Sequence, residues 1–335
     1  MLLALTTLLS ISAILVAVFR ERTQSNITQA ESTMSQTALR SVRQIVQTIE
    51  KPEGQKVMVR RAIGNRQLPR IDPFLMLDEF CMKVADLAPG AGFPPHPHRG
   101  FETVTYMLEG SNSHRDFKGN HGILNPGDLQ WMTAGRGIVH SEMPHAADPE
   151  TGRLRGLQLW VNLPRNKKMM KPRYQELKSA DVPEVVSEDG LSHVRVFAGS
   201  SMGTSATVRT VTPITYLQVT LQPGGLFSQN IEQDWNAFLY IVDGEVTVNN
   251  RTVGTQRVVE FARDGTKVTV SCDSAAAESA RFVLCAGKPL DEPVAQYGPF
   301  VMSTPEQLDK TIHDYQTQTN GFEGTQQFLR DFNGN

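Results

Sequence analysis

Two short runs place four potential ligands at alternating positions: Pro95-His96-Pro97-His98 and His140-Ser141-Glu142. In an extended strand, residues i and i+2 project from the same face. Two such pairs on neighbouring strands would therefore converge three neutral imidazoles and one carboxylate on a single point. That donor set suits a borderline divalent metal such as iron, manganese, nickel, copper or zinc. It holds too few carboxylates for calcium, and it lacks the thiolates of an iron–sulfur cluster. Glu102 follows His98 by an even spacing. It ranks behind Glu142 as the carboxylate ligand, because Gly100 between them can bulge the strand and change its face. The remaining histidines of this region, His114 in an alternating polar segment, His121 between Gly119 and Gly122, and His145 after Pro144, read as surface or turn residues.

Such pairs need rigid strands around them, and the chain supplies many. From about residue 57 it runs as short apolar-alternating stretches: Thr103 to Leu108, Leu157 to Val161, Tyr216 to Leu221 and Ala237 to Val242. Glu109-Gly110, Pro126-Gly127-Asp128, Asp243-Gly244 and Asn249-Asn250 punctuate them. The pattern predicts an all-β barrel or sandwich. A long-period repeat adds to it. Leu87-Ala88-Pro89-Gly90 recurs as Leu221-Gln222-Pro223-Gly224, an offset of 134, and at that offset Phe93 meets Phe227, Tyr106 meets Tyr240 and Gly110 meets Gly244. A period of domain size predicts two copies of one barrel. At the same offset His96 and His98 become Asn230 and Glu232, so the metal belongs to the first copy alone.

Bulk properties narrow the function further. A chain of 335 residues accommodates two domains, each with its own core. The net charge of -2, with no dense basic run, argues against direct nucleic-acid binding. Cys81, Cys272 and Cys285 are odd in number and show no CxxC spacing, which predicts reduced, buried thiols. Residues 1 to 19 are almost unbroken apolar and run into Arg20-Glu21-Arg22. That segment reads as a membrane anchor, a signal sequence or an extension ahead of a start at Met34. Asn26-Ile27-Thr28 is a glycosylation sequon, and residues 20 to 56 are polar like a linker.

The spacing from Gly90 through His96-Pro97-His98 to Glu102 and Gly110 resembles the first cupin motif. The segment from Pro126-Gly127-Asp128 to Gly135-Arg136-Gly137-Ile138-Val139-His140 resembles the second, with Thr133 in place of the usual proline and the histidine two residues late. The two blocks from His96 to Tyr106 and from Met132 to Met143, together with Tyr297-Gly298-Pro299-Phe300-Val301-Met302, resemble the pirin family nearly residue for residue. The resemblance spans roughly residue 40 to the end. It implies two tandem cupin barrels, double-stranded β-helices of the jelly-roll kind, with a short C-terminal helical segment. The expected division is an N-terminal segment over 1–33, a linker over 34–56, a metal-binding barrel over 57–170, a linker over 171–194, and a metal-free barrel with tail over 195–335. It further implies one metal per chain, Fe(II), held by His96, His98, His140 and Glu142. Two activities come with the family. One is a quercetin 2,3-dioxygenase that opens a flavonol with O2 and releases carbon monoxide, Glu142 taking the flavonol proton. The other is an iron-dependent, redox-sensitive binding protein, a nuclear cofactor of NF-kappaB-type transcription factors or a partner of G-protein α subunits. A monomer in cytoplasm or nucleus is the matching expectation, with anchoring through residues 1–19 as the alternative.

Overall fold

In a computed structural model of the chain, which describes residues 38–334, nearly every element is a strand. Two units repeat one plan, a seven-stranded sheet facing a four-stranded one. In the first unit the small sheet runs Phe93–His98, Ile138–Ala146, Ser111–Asp116, His121–Leu124 in spatial order. Its larger partner is centred on Phe101–Glu109, Arg153–Asn162 and Phe74–Lys83. The second unit repeats this with Leu226–Asn230 and Lys267–Ser271 in the small sheet, and Asn236–Asp243, Ala280–Gly287 and Ile214–Leu221 central to the large one. The fold is all-β, two tandem cupin barrels followed by the helices Pro305–Thr317 and Thr325–Asn333.

Alternation along the strands decides what packs where. One face of each large sheet meets the other: Leu77, Val104, Trp131, Leu157 and Leu159 of the first unit share a core with Tyr216, Phe238, Tyr240 and Val283 of the second. The opposite face of the second sheet fills its own barrel with Leu217, Val219, Leu239, Ile241, Phe282 and Leu284. Burying both faces explains the nearly continuous apolar runs of the second unit. A polar bridge crosses between units. Arg155 donates to Glu79 at 2.6 Å, to Asp243 at 2.7 Å and to the Val242 carbonyl at 2.8 Å, and Tyr240 donates to Glu79 at 2.6 Å.

Both expected linkers prove to be strands where the structure describes them. Val42–Gln47 pairs with Arg257–Phe261 of the second unit, and Ile49–Glu53 pairs with Val57–Ile63 of the first, so this polar segment joins the edges of both large sheets. Arg173–Leu177 likewise edges the first sheet and Glu184–Val186 the second. Edge strands bury little and keep charges, which is why these read as linkers. The apolar segment 1–19, the sequon at Asn26 and the start at Met34 lie outside the described residues. Among the described residues no helix is long and apolar enough to cross a membrane. All three cysteines are free; Cys272 and Cys285 are buried as expected, whereas Cys81 is only partly so.

Candidate metal centre

The strand Phe93–His98 lies at the edge of the small sheet, where Pro94, Pro95 and Pro97 cost no ladder hydrogen bonds. It runs antiparallel to Ile138–Ala146 with His96 directly opposite His140, so those side chains share a face. His98 joins them two residues on. The ring centroids lie 4.7 Å (His96–His98), 4.5 Å (His96–His140) and 4.9 Å (His98–His140) apart. One nitrogen from each ring falls within 4.8 Å of the other two, close enough to hold one metal ion. His96 Nδ1 contacts the Pro94 carbonyl at 2.8 Å, which fixes the ring and turns Nε2 toward the cluster.

These imidazoles are neutral at ordinary pH. Burial, with His140 nearby, pushes His96 down to about 4, Glu142 opposing. Burial and His114 push His140 down to about 3. Burial, with His96 and His140, holds His98 well below its usual range. Neutral nitrogens are what a metal requires. His98 and His140 are each 1% exposed, yet neither ring nitrogen of either residue has a hydrogen-bond partner. Four orphaned buried nitrogens on two residues are costly unless something binds them. The residues fit a divalent metal.

Glu142 sits two residues past His140, after an irregularity in the pairing. Its Oε2 is 4.0 Å from His140 Nε2. Thr105 donates to Oε1 at 3.2 Å, and Gln158 Nε2 lies 3.2 and 3.0 Å from the two carboxylate oxygens. The indole of Trp160 donates to Gln158 Oε1 at 3.0 Å, which fixes the amide so that its NH2 faces Glu142. Gln158, Thr105 and Trp160 escape a search for ligand spacings. A signal for them exists: in Leu157-Gln158-Leu159-Trp160-Val161 the leucine face goes to the shared core, leaving Gln158 and Trp160 to point into the barrel.

Glu102 is elsewhere. Gly100, at φ 89°, breaks the chain between the two sheets, so even spacing from His98 no longer predicts the face. Glu102 is buried beside Thr133, which donates to it at 2.7 Å. Burial pushes its carboxyl up, Thr133 and Trp131 opposing. His114 is no surface residue either. It is 5% exposed, opposite Glu142 on the next strand, with Nε2 2.9 Å from Glu176. The polar run around it faces a polar barrel interior rather than solvent. His121 and His145 are exposed, as expected.

A cavity of about 710 Å³ opens onto this cluster, and His96, His98, Gln158, Trp160, Lys51 and Glu53 are among the residues that line it. A barrel with three histidines against such a cavity defines a bicupin with, among the described residues, one metal-type centre. The comparisons place it more closely. The Pirin family profile matches residues 56–161, and that of the Pirin C-terminal cupin domain matches 216–321. Pirin-like protein 2 of Arabidopsis thaliana is 49% identical over 277 residues, covering 81% of this chain and 82% of that one. Human Pirin is 47% identical over 278 residues, covering 82% and 91%. A quercetin 2,3-dioxygenase from Acinetobacter baumannii superposes with a TM-score of 0.75 at 30% identity, covering 84% of this chain and 98% of that one. The chain belongs to the pirin family.

Proposed function

We propose that this pirin is a metal-dependent quercetin 2,3-dioxygenase, with His96, His98, His140 and Glu142 holding a single Fe(II). The observation that carries the reading is the set of orphaned histidine nitrogens at the base of a ligand-sized cavity. The structural likeness to a quercetin 2,3-dioxygenase supports it. A divalent metal there would supply Lewis-acid polarisation of the flavonol oxygens and a redox route for dioxygen. The chain's own part is to bind, orient and take a proton. Trp160 and His98, with ring centroids 5.4 Å apart, and the half-buried Phe93 give the cavity aromatic surface for a planar ligand. Glu142 accepts the flavonol 3-hydroxyl proton at a carboxylate oxygen. Gln158 and Thr105 aim that carboxylate, and the buried walls keep bulk water from competing for it.

The test is quercetin-dependent oxygen uptake and carbon monoxide release by protein of known metal content. Iron-replete protein is expected to consume quercetin and O2 one to one. Protein with iron bound but without oxygen uptake would refute the enzyme and leave an iron-dependent binding protein.

A further inference from the structure

Five strands of the first large sheet bring one residue each into register. Gln130 lies opposite Thr105, Thr105 opposite Gln158, Gln158 opposite Asp78, and Asp78 opposite Arg61. Directly paired residues share a face, so these five form one polar row across the barrel interior. The second barrel offers an internal control. Tyr106 and Tyr240 are equivalent, so Thr105 corresponds to Leu239. The same pairings then give the row Val259, Leu239, Leu284, Leu217 and Val196, apolar throughout. The fold does not require a polar row. In the first barrel three of its members line the cavity: Gln158 next to Glu142, then Asp78 and Arg61.

The far end of the row is unfinished. Arg61 donates from Nε and Nη2 to Asp78 at 2.8 and 2.6 Å, and from Nη2 to Glu53 Oε2 at 2.7 Å. Its Nη1 has no partner among the described residues. Glu53 Oε1 likewise has none, and the Glu53 side chain is 39% exposed at the mouth. A free donor therefore sits beside a free acceptor. Lys51, 3.5 Å from Glu53, completes a group of two cations and two anions with no net formal charge. Such a group disfavours a carboxylate or an amine, and matches paired hydroxyls that each donate and accept. Two strand spacings separate Gln158 from Arg61, about 10 Å, comparable to the reach of a flavonol from its metal-binding oxygen to a remote ring.

We infer that Arg61 and Glu53 form a specificity subsite for the vicinal dihydroxyl ring of a polyhydroxylated aromatic, read two strand spacings from Gln158. This rests on the flavonol reading above and names which part of that substrate the protein distinguishes. One hydroxyl accepts from Arg61 Nη1 and its neighbour donates to Glu53 Oε1.

The test is anaerobic titration of the metal-loaded protein, followed by tryptophan fluorescence, so that affinity is read without turnover. The probes are quercetin and 3,5,7-trihydroxyflavone, which lacks both hydroxyls on the remote ring. Wild type is expected to bind quercetin about tenfold more tightly or better, the worth of one hydrogen bond to a charged group. Glu53→Gln and Arg61→Lys, at unchanged metal content, should bring the ratio to within about threefold. Affinity for trihydroxyflavone should stay the same. Equal affinities in wild type, or a ratio that survives both substitutions, overturns the subsite while leaving the flavonol reading intact. No binding of either probe overturns both.

Discussion

Replacing His98 by leucine should move stability in opposite directions with and without metal. His98 is 1% exposed, edge-on to Phe101 at 5.3 Å and Trp160 at 5.4 Å, with both ring nitrogens unpartnered. A buried polar group left unsatisfied costs about 1–3 kcal/mol, and leucine removes both nitrogens from a mostly aromatic pocket. Metal-free His98→Leu should therefore be at least as stable as metal-free wild type, and up to about 3 kcal/mol more so. Metal reverses the order. At a free metal concentration 100-fold above its dissociation constant, binding stabilises wild type by about 2.7 kcal/mol, and a variant lacking one ligand loses most of that. The assay is urea unfolding of both proteins after chelation and again with Fe(II) under argon, metal being measured in each sample. A loss of 2 kcal/mol or more in the metal-free variant, equal in the two conditions, would refute the reasoning and make His98 an ordinary core residue.

Three further outcomes follow from the same geometry. Glu142→Gln, at matched metal occupancy, should lower quercetin turnover by about 10²–10⁴-fold, the usual cost of losing a general base, with much less effect on flavonol affinity; a loss under tenfold counts against that role. Glu232→Ala should leave one metal per chain, as measured by elemental analysis, and a loss of metal with the fold intact by circular dichroism would show that the second barrel takes part. Burial raises Asp243, but Arg155 and Arg281 outweigh it and hold the carboxyl below its ordinary 3.8. A depressed folded value means the unfolded chain binds more protons, so this stability is complete above about pH 5 and is lost as pH falls below 3.8. Asp243→Asn should flatten the acid limb of the unfolding midpoint against pH, and an unchanged limb would mean that the bridge between units does not report on acid.

The sequence is most legible where local geometry alone fixes the outcome. His96, His98 and His140 could be read because strand parity is a two-residue rule. The duplication was legible because Pro-Gly turns and paired tyrosines keep their spacing. Parity failed across Gly100, where a left-handed residue hands the chain to another sheet and carries Glu102 to the wall that abuts the second barrel. Polarity failed as a guide at Val42–Gln47 and Ile49–Glu53, because edge strands need few apolar residues. It failed again at His114, because the first barrel is polar inside. Gln158 and Thr105 hold Glu142 through pairings between strands far apart in sequence, which no local pattern announces.

The second barrel shows the same frame where, among the described residues, no histidine cluster stands. Where His96 stands opposite His140 in the first, Asn230 stands opposite Lys267 in the second. Their faces differ, however: Phe227, Val268 and Val270 fill the second barrel, so the exposed Asn230 and the half-buried Lys267 point away from its interior, and apolar side chains stand where the histidines converge in the first. Arg40, 1% exposed, reaches in from the N-terminal segment and donates to the carbonyls of Gly265 at 3.0 Å, Trp235 at 2.7 Å, Glu232 at 2.6 Å and Gln233 at 3.2 Å. Those four carbonyl oxygens thus have a permanent guanidinium partner. The interior row that is polar beside the histidines is correspondingly apolar here. One barrel keeps a polar cluster of histidines in its interior, and the other is filled with apolar side chains.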